Sequence, residues 1–409
     1  MNDAPRAIGG PILTGPFKVL LGIVGLFVLV VAWRLLNGIG AVSGLNDGYA
    51  WGIWIAYDVV SGTALACGGY AVALLCYVLN KGKYHSMVRP AILTSALGYT
   101  LASLAVVLDV GRYWNMWKVP LLWNWNRNSI LLEVALCITA YTMVLWIELS
   151  PILVDRWHDS RSPFLRKIAK RLTPILHRTL LWFMVLGILL PTMHHSSLGA
   201  LMLIAAYKVH QLWYTPLLPL LFLVSSTAMG YAVVVAESTL SSTVFGRERE
   251  SDMLTSLSTV MIGVLGAFLG MRMADLISRQ RIGLAFAFDF YAGFFWLETA
   301  LFFVAAALLL PKEWRRDPGK QFLAALLMMM GGTLYRFDVY LIGFNPGRQW
   351  SYFPSIAEMI MTIGLVAIEL AAYIAIVKRF PVIGGMAKPP RSVRSGLSRA
   401  PAVSGLSRT

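Results

Sequence analysis

Of the 409 residues, 57% are hydrophobic and only 13% charged, and the apolar residues fall in runs of about twenty, the length a helix needs to cross a hydrocarbon core ~30 Å thick. That composition excludes a soluble enzyme of this length. The net charge of +15 does not point to nucleic acid, because the basic residues sit in short connectors and in the tail, where anionic lipid headgroups are the usual partner.

Residues 1–16 form a short N-terminal segment with Asp3, Arg6 and Pro16, and no small-residue cleavage site follows the first apolar run, so that run is expected to stay in the mature protein. Spans are read at residues 17–36, 51–79, 90–111, 129–154, 178–193, 216–237, 254–276, 284–310, 320–342 and 355–377. They give an all-α fold, a polytopic transmembrane helical bundle of about ten spans filling residues 17–380. The fifth span is the shortest, and the apolar stretch from Leu198 to Tyr207 is too short to cross, so it is read as a re-entrant or interfacial helix. From residue 381 to 409 the chain becomes a basic, low-complexity tail in which SGLSR occurs at Ser395 and again at Ser404.

An even number of spans puts both termini on one side. With that side cytoplasmic, the inner segments hold 25 of the 35 Lys and Arg and the outer ones 10, so both termini are predicted to be cytoplasmic.

The orientation gives each ionisable residue a depth. Asp58 lies below the outer end of the second span, Asp109 and Arg112 end the third, Glu133 opens the fourth, and His194 and His195 end the fifth. Arg272 and Asp275 close the seventh, Asp289 opens the eighth, Arg336 and Asp338 lie near the outer end of the ninth, and Glu358 opens the tenth. A charge inside a span usually faces the bundle interior, where it either pairs or works. Asp109 with Arg112, and Arg272 with Asp275, have i, i+3 spacing and are read as structural ion pairs. Asp58, Glu133 and Asp289 have no basic partner close in sequence, and both readings stay open for them. Glu298 and Glu369 fall near mid-membrane, with Glu148 and Glu237 at inner ends; they are read either as a proton ladder or as singly buried, hydrogen-bonded acids.

Trp33, Trp51, Trp54, Trp114, Trp117, Trp123, Trp125, Trp213 and Trp350 all fall at or outside the outer boundary. An interfacial belt has two sides, so this excess on one face suggests a surface that docks a partner protein. Cys67, Cys76 and Cys137 lie inside spans with no metal-ligand spacing, so no metal site is expected. Of the six His, only His194 and His195 adjoin a span interior, so a haem held between His on two helices is not expected, nor any other bound cofactor. No phosphate-loop, dinucleotide-binding, zinc-protease or nucleophile-elbow pattern occurs, and no catalytic residue is assigned.

The stretches WGIWIAYD (Trp51 to Asp58), LACGGYA (Leu65 to Ala71), LDVGRYWN (Leu108 to Asn115), LPTMHHSSLG (Leu190 to Gly199), YKVHQLW (Tyr207 to Trp213), LAFAFDFYAGFFWLE (Leu284 to Glu298), FNPG (Phe344 to Gly347) and YFPS (Tyr352 to Ser355) carry a resemblance. Through them the chain resembles the HybB-type membrane subunits of periplasmic nickel-iron uptake hydrogenases, within the NrfD and polysulfide-reductase membrane-subunit superfamily, from about Gly9 to Phe380. The resemblance implies a haem-free, multi-pass helical bundle in the bacterial inner membrane. It implies a quinone, menaquinone or ubiquinone, bound as substrate near the periplasmic face. The implied partners are a ferredoxin-like iron-sulfur subunit docked there and the small and large hydrogenase subunits behind it. His194 follows the motif LPTMH; His195 stands where the family often has Gln.

Reducing a quinone takes two electrons and two protons, so a site needs hydrogen-bond donors at both carbonyl oxygens, a proton source and an apolar slot for the isoprenoid tail. His194, Tyr57, Ser196 and Ser197 are the expected quinone contacts, and Asp58, Glu133, Asp289, Glu298 and Glu369 the expected proton carriers. Two other classes compete with this reading. A secondary transporter would use buried carboxylates and the interrupted stretch from Pro191 to Pro219 around a midplane site. A purely structural anchor would tether a catalytic complex with no redox site of its own.

Overall fold

The computed structural model describes residues 7–158, 160–246 and 249–383. Among them are ten helices long and apolar enough to cross a membrane: α1 (Gly15–Asn37), α2 (Trp54–Val78), α3 (Gly82–Asp109), α4 (Ile130–His158), α5 (Arg178–Ile204), α6 (Leu218–Phe245), α7 (Ser251–Ser278), α8 (Phe290–Leu309), α9 (Pro318–Ile342) and α10 (Ile356–Arg379). The chain is an all-helical, multi-pass membrane protein. Beyond Ile383 the expected tail lies outside the described residues.

The fifth span differs from the sequence reading. It belongs to one continuous helix, Pro163–Ile204, so the stretch starting at Leu198 is no re-entrant helix but the end of α5 that the expected orientation makes the outer one. The polar run His194, His195, Ser196, Ser197 lowers the local hydropathy, yet His194, His195 and Ser197 find partners on neighbouring helices and Ser196 donates to Met193 O of its own, so the helix has no reason to end there. Consequently the two His stand about ten residues, ~15 Å at 1.5 Å per residue, inside the helix end and not at it.

α2 and α6 are the most buried helices, and α1 and α5 the least. Small residues allow the central contact: a Cβ on Gly230 of α6 would stand 2.6 Å from the Cys67 carbonyl oxygen of α2. α1 packs on α10, where Phe27 fills the notch at Gly364. Ile8 N–H donates to the Val377 carbonyl at 3.1 Å and Gly9 N–H to that of Lys378 at 3.0 Å, so the two described ends lie together, as an even number of spans requires.

The opposite end carries the loops rich in aromatic residues, with Trp114, Trp117, Trp123, Tyr207, Phe288 and Phe353 exposed. Two of these loops are knitted together: His210 N–H donates to Gly343 O and Asn345 N–H to Lys208 O, both at 2.7 Å. The start of α10 is fixed by a capping box, Ser355 with Glu358, and the Glu358 carboxylate also accepts from Gly44 N–H and from the Tyr352 hydroxyl at 2.7 Å.

Candidate functional site

α2 opens not as an α-helix but as a π-helix, Trp54–Ser61, and Asp338–Ile342 at the outer end of α9 is wound the same way. Such turns expose a backbone register that ordinary helices lack and recur at functional positions. The π turn of α2 carries Tyr57 and Asp58 into a cavity of about 260 Å³ between α2, α3, α6, α9 and α10, whose wall is apolar apart from Tyr57, Asp58, Thr94 and Glu369. Gly62 and Gly98 contribute no side chain to that wall. Thr362 donates to Asp58 at 2.9 Å. Thr94, at the inner end of the cavity, donates to Glu237 at 3.1 Å, and Tyr373 donates to the same carboxylate at 2.5 Å. Asp58, Glu369 and Glu237 thus descend from the outer third of the bundle toward its inner end.

The remaining expected quinone contacts lie elsewhere. His194 and His195 are fully buried: His194 Nε2 meets Thr63 Oγ1 at 3.1 Å, and His195 Nε2 meets Cys67 Sγ at 2.9 Å and Tyr99 OH at 3.2 Å. His194 therefore does not line the cavity; it meets Thr63, the chain neighbour of the lining residue Gly62. Ser196 donates to Met193 O of its own helix, and Ser197 donates to Glu133 at 2.7 Å, making a separate contact between α5 and α4. Glu148 lines another cavity, of about 400 Å³, with His85, Arg89, Tyr77 and Tyr141 toward the inner side.

Neither ion pair read from i, i+3 spacing forms. Arg272 makes two hydrogen bonds to Glu298 of α8, at 2.7 and 3.0 Å, while Asp275 pairs with Arg279 at 2.6 Å and accepts from Thr215 at 2.7 Å. Arg112 is exposed, and the cation near Asp109 is Arg34 of α1, which donates to the carbonyls of Leu108 and Val110. Spacing along one helix is blind to a better partner on the next. Asp289 is the N-cap of α8 and accepts from Ala292 N–H at 2.8 Å, a structural use of that carboxylate. Glu298 also accepts from Trp213 Nε1 at 3.1 Å, so it is an ion-pair member away from the cavity that holds Glu369. In the outer loops, burial pushes the Tyr352 hydroxyl above its ordinary range, reinforced by its hydrogen bond to Glu358.

Sequence reasoning missed Thr362, Thr94 and Thr63, each an unremarked hydroxyl in an apolar helix, and left Asp338 without a role. The signal for Asp338 was a lone carboxylate two residues from Arg336 inside the ninth span.

Residues 41–345 match the family model described as Polysulphide reductase, NrfD, which takes in α2 to α9. The chain belongs to the polysulphide reductase NrfD family. It is 38% identical over 94% of its length, and 96% of the relative's, to the probable Ni/Fe-hydrogenase 2 b-type cytochrome subunit of Escherichia coli. It is 29% identical to the integral membrane subunit of menaquinone reductase from Nitratidesulfovibrio vulgaris, covering 83% of this chain and 84% of the relative. At 23% identity it also matches a selenate reductase subunit of Mesobacillus selenatarsenatis, over 66% of the chain and 63% of the relative. The NrfD match ends before α10, so Thr362 and Glu369 come from outside the matched region.

The first of these names corrects the expectation of no haem, since a b-type cytochrome is by definition a haem protein. That expectation rested on counting His in span interiors. The buried imidazoles that bear on the question are His194 and His195, whose Nδ1 atoms have no hydrogen-bond partner among the described residues. Their Nε2 atoms are engaged, and adjacent positions on one helix do not make an axial pair across two helices. The two residues do not fit that form of ligation.

Proposed function

We propose that the chain is the quinone-reactive integral membrane subunit of a respiratory oxidoreductase complex in the bacterial inner membrane. In this reading it takes electrons from a periplasmic iron-sulfur subunit and anchors a nickel-iron hydrogenase. The observation that carries the proposal is the cavity at the π turn of α2, where a phenol and a carboxyl group stand side by side at the outer end of a slot whose other polar residues are Thr94 and Glu369. That is the donor set a quinone ring requires, with apolar walls for its tail.

In this reading the Tyr57 hydroxyl and the Asp58 carboxyl group hydrogen-bond the quinone oxygens, and Asp58, oriented by Thr362, delivers a proton as electrons arrive. Glu369, in the same cavity, re-protonates the site, and Glu237 with Thr94 and Tyr373 extends the line inward. His194 acts through Thr63 as a positioning residue. The exposed aromatic loops at the other end from the chain termini are the docking face for the electron-donating partner. The names of the relatives support the partner assignment, one being a hydrogenase subunit and another a menaquinone reductase subunit.

The test is hydrogen-driven quinone reduction in membranes carrying the whole complex, with hydrogen-driven dye reduction as the control for assembly. Tyr57→Phe and Asp58→Asn are expected to cut quinone reduction at least tenfold and leave dye reduction unchanged, the range typical of a general acid being ~100 to 10,000-fold. Full quinone activity in both variants would sink the assignment of this cavity.

A further inference from the structure

The second π turn carries Asp338, a fully buried carboxyl group near the outer end of α9. It lies against the Glu298 carboxyl group, and neither of its oxygens accepts from an N–H or hydroxyl donor among the described residues. Glu298 is the opposite case, accepting two N–H bonds from Arg272 and one from Trp213. An ionised carboxylate offers about four acceptor positions and is costly to bury without donors or a cation. Only one of these two acids is supplied.

The surrounding charges are accounted for. From α7, Arg272 gives its positive charge to Glu298, and Asp275 is held by Arg279 and Thr215. From α9, Tyr335 contributes a phenol, and Arg336 spends its N–H groups on the carbonyl oxygens of Val60, Gly332 and Phe222 and on the Met229 sulfur. One cation therefore faces two carboxyl groups, and neighbouring carboxyl groups with a single positive charge between them retain one proton.

We propose that Asp338 holds that proton, as the neutral member of a carboxyl pair in which Glu298 is the anion and Arg272 the counter-charge, making the outer end of the bundle a proton-storing site. The site is separate from the Tyr57 cavity and stands or falls without it. Its reach to the outside is short, since Trp213, which caps Glu298, belongs to the loop that also carries His210.

The experiment is infrared spectroscopy of the purified full-length chain in its complex, comparing the carbonyl stretch of protonated carboxyl groups in the wild type and in Asp338→Asn. Asn has the shape of a neutral Asp, so the variant is expected to accumulate normally and to lose one such band, one that shifts on deuteration in the wild type. Retention of every band in Asp338→Asn would overturn the proposal. Should that variant fail to accumulate, heavy-isotope labelling of aspartate carboxyl carbons in an Asp58→Asn, Asp109→Asn background decides. A protonated-acid band that moves with the label supports Asp338 as its owner, and no label-sensitive band overturns it.

Discussion

The Thr362 hydroxyl donates to the Asp58 carboxyl group at 2.9 Å, tying α10 to the π-helical start of α2. A hydrogen bond to an ionisable group contributes about 1.5–3 kcal/mol, and ~1.4 kcal/mol in a barrier is tenfold in rate. Thr362→Val, nearly isosteric, is therefore expected to slow quinone reduction about tenfold through Asp58 while dye reduction is preserved. An unchanged rate would separate Thr362 from the chemistry.

Arg272→Gln leaves Glu298 buried with only the Trp213 N–H as donor. Breaking a buried ion pair by removing one partner costs about 3–5 kcal/mol. The variant is expected to fall sharply in steady-state membrane level and in thermal midpoint in detergent, and the double variant Arg272→Gln, Glu298→Gln to recover part of the loss. A double variant no better than the single one would show that the pair is not the cause.

Gly230→Ala puts a methyl group 2.6 Å from the Cys67 carbonyl oxygen, a backbone atom that cannot swing aside. Overpacking of this kind costs ~1–3 kcal/mol. The expected outcome is a lower melting temperature with α2 displaced from α6, read by reduced protection of the Cys67 amide in hydrogen exchange.

His210 lies outside the spans, stacked on Tyr291 at 4.2 Å, and its Nδ1 accepts from Leu212 N–H. Burial pushes this imidazole below its ordinary value, with Asp289 acting in the opposite direction. A lowered value in the folded chain means that the neutral ring contributes stability above the unfolded value of about 6.5, which is lost as pH falls below it. Amide exchange in the loop at residues 205–217 is expected to quicken between about pH 7.5 and about pH 5.5 beyond the intrinsic pH effect, and His210→Gln to flatten that response.

Labelling with an impermeant thiol reagent checks the orientation. Cysteine at Asn124 is expected to react from the periplasmic side and cysteine at Lys83 only after the membrane is opened, because the basic connectors belong inside. The reverse pattern would invert the depth of every buried acid.

The spans were legible because twenty-residue apolar runs have almost no other explanation, and the shared side of the two ends followed from their number. The error at α5 arose where three residues of a polar tetrapeptide, His194, His195 and Ser197, find lateral partners in Thr63, Cys67, Tyr99 and Glu133 on other helices, which hydropathy along one segment does not register. The same blindness produced the wrong partners for Arg272 and Asp275. Tyr57, Asp58 and Glu369 were singled out one by one as polar residues in spans, but their convergence on one cavity depends on the winding of α2, and a π turn has no sequence signature that apolar periodicity reveals. His194, picked out by its motif, is packed behind that wall.

α1 packs chiefly on α10, with Phe27 in the notch at Gly364 and the backbone at Ile8 and Gly9 paired with the far end of the last helix. α1 thus finds its partner only after the eight helices between them have been made. Until then it must wait in the bilayer as a lone hydrophobic rod, held by its own length and apolarity, which is a state that a chain cut short before residue 356 would never leave. Quality control that recognises unpartnered helices would have, in α1, a direct readout of whether synthesis has passed α10.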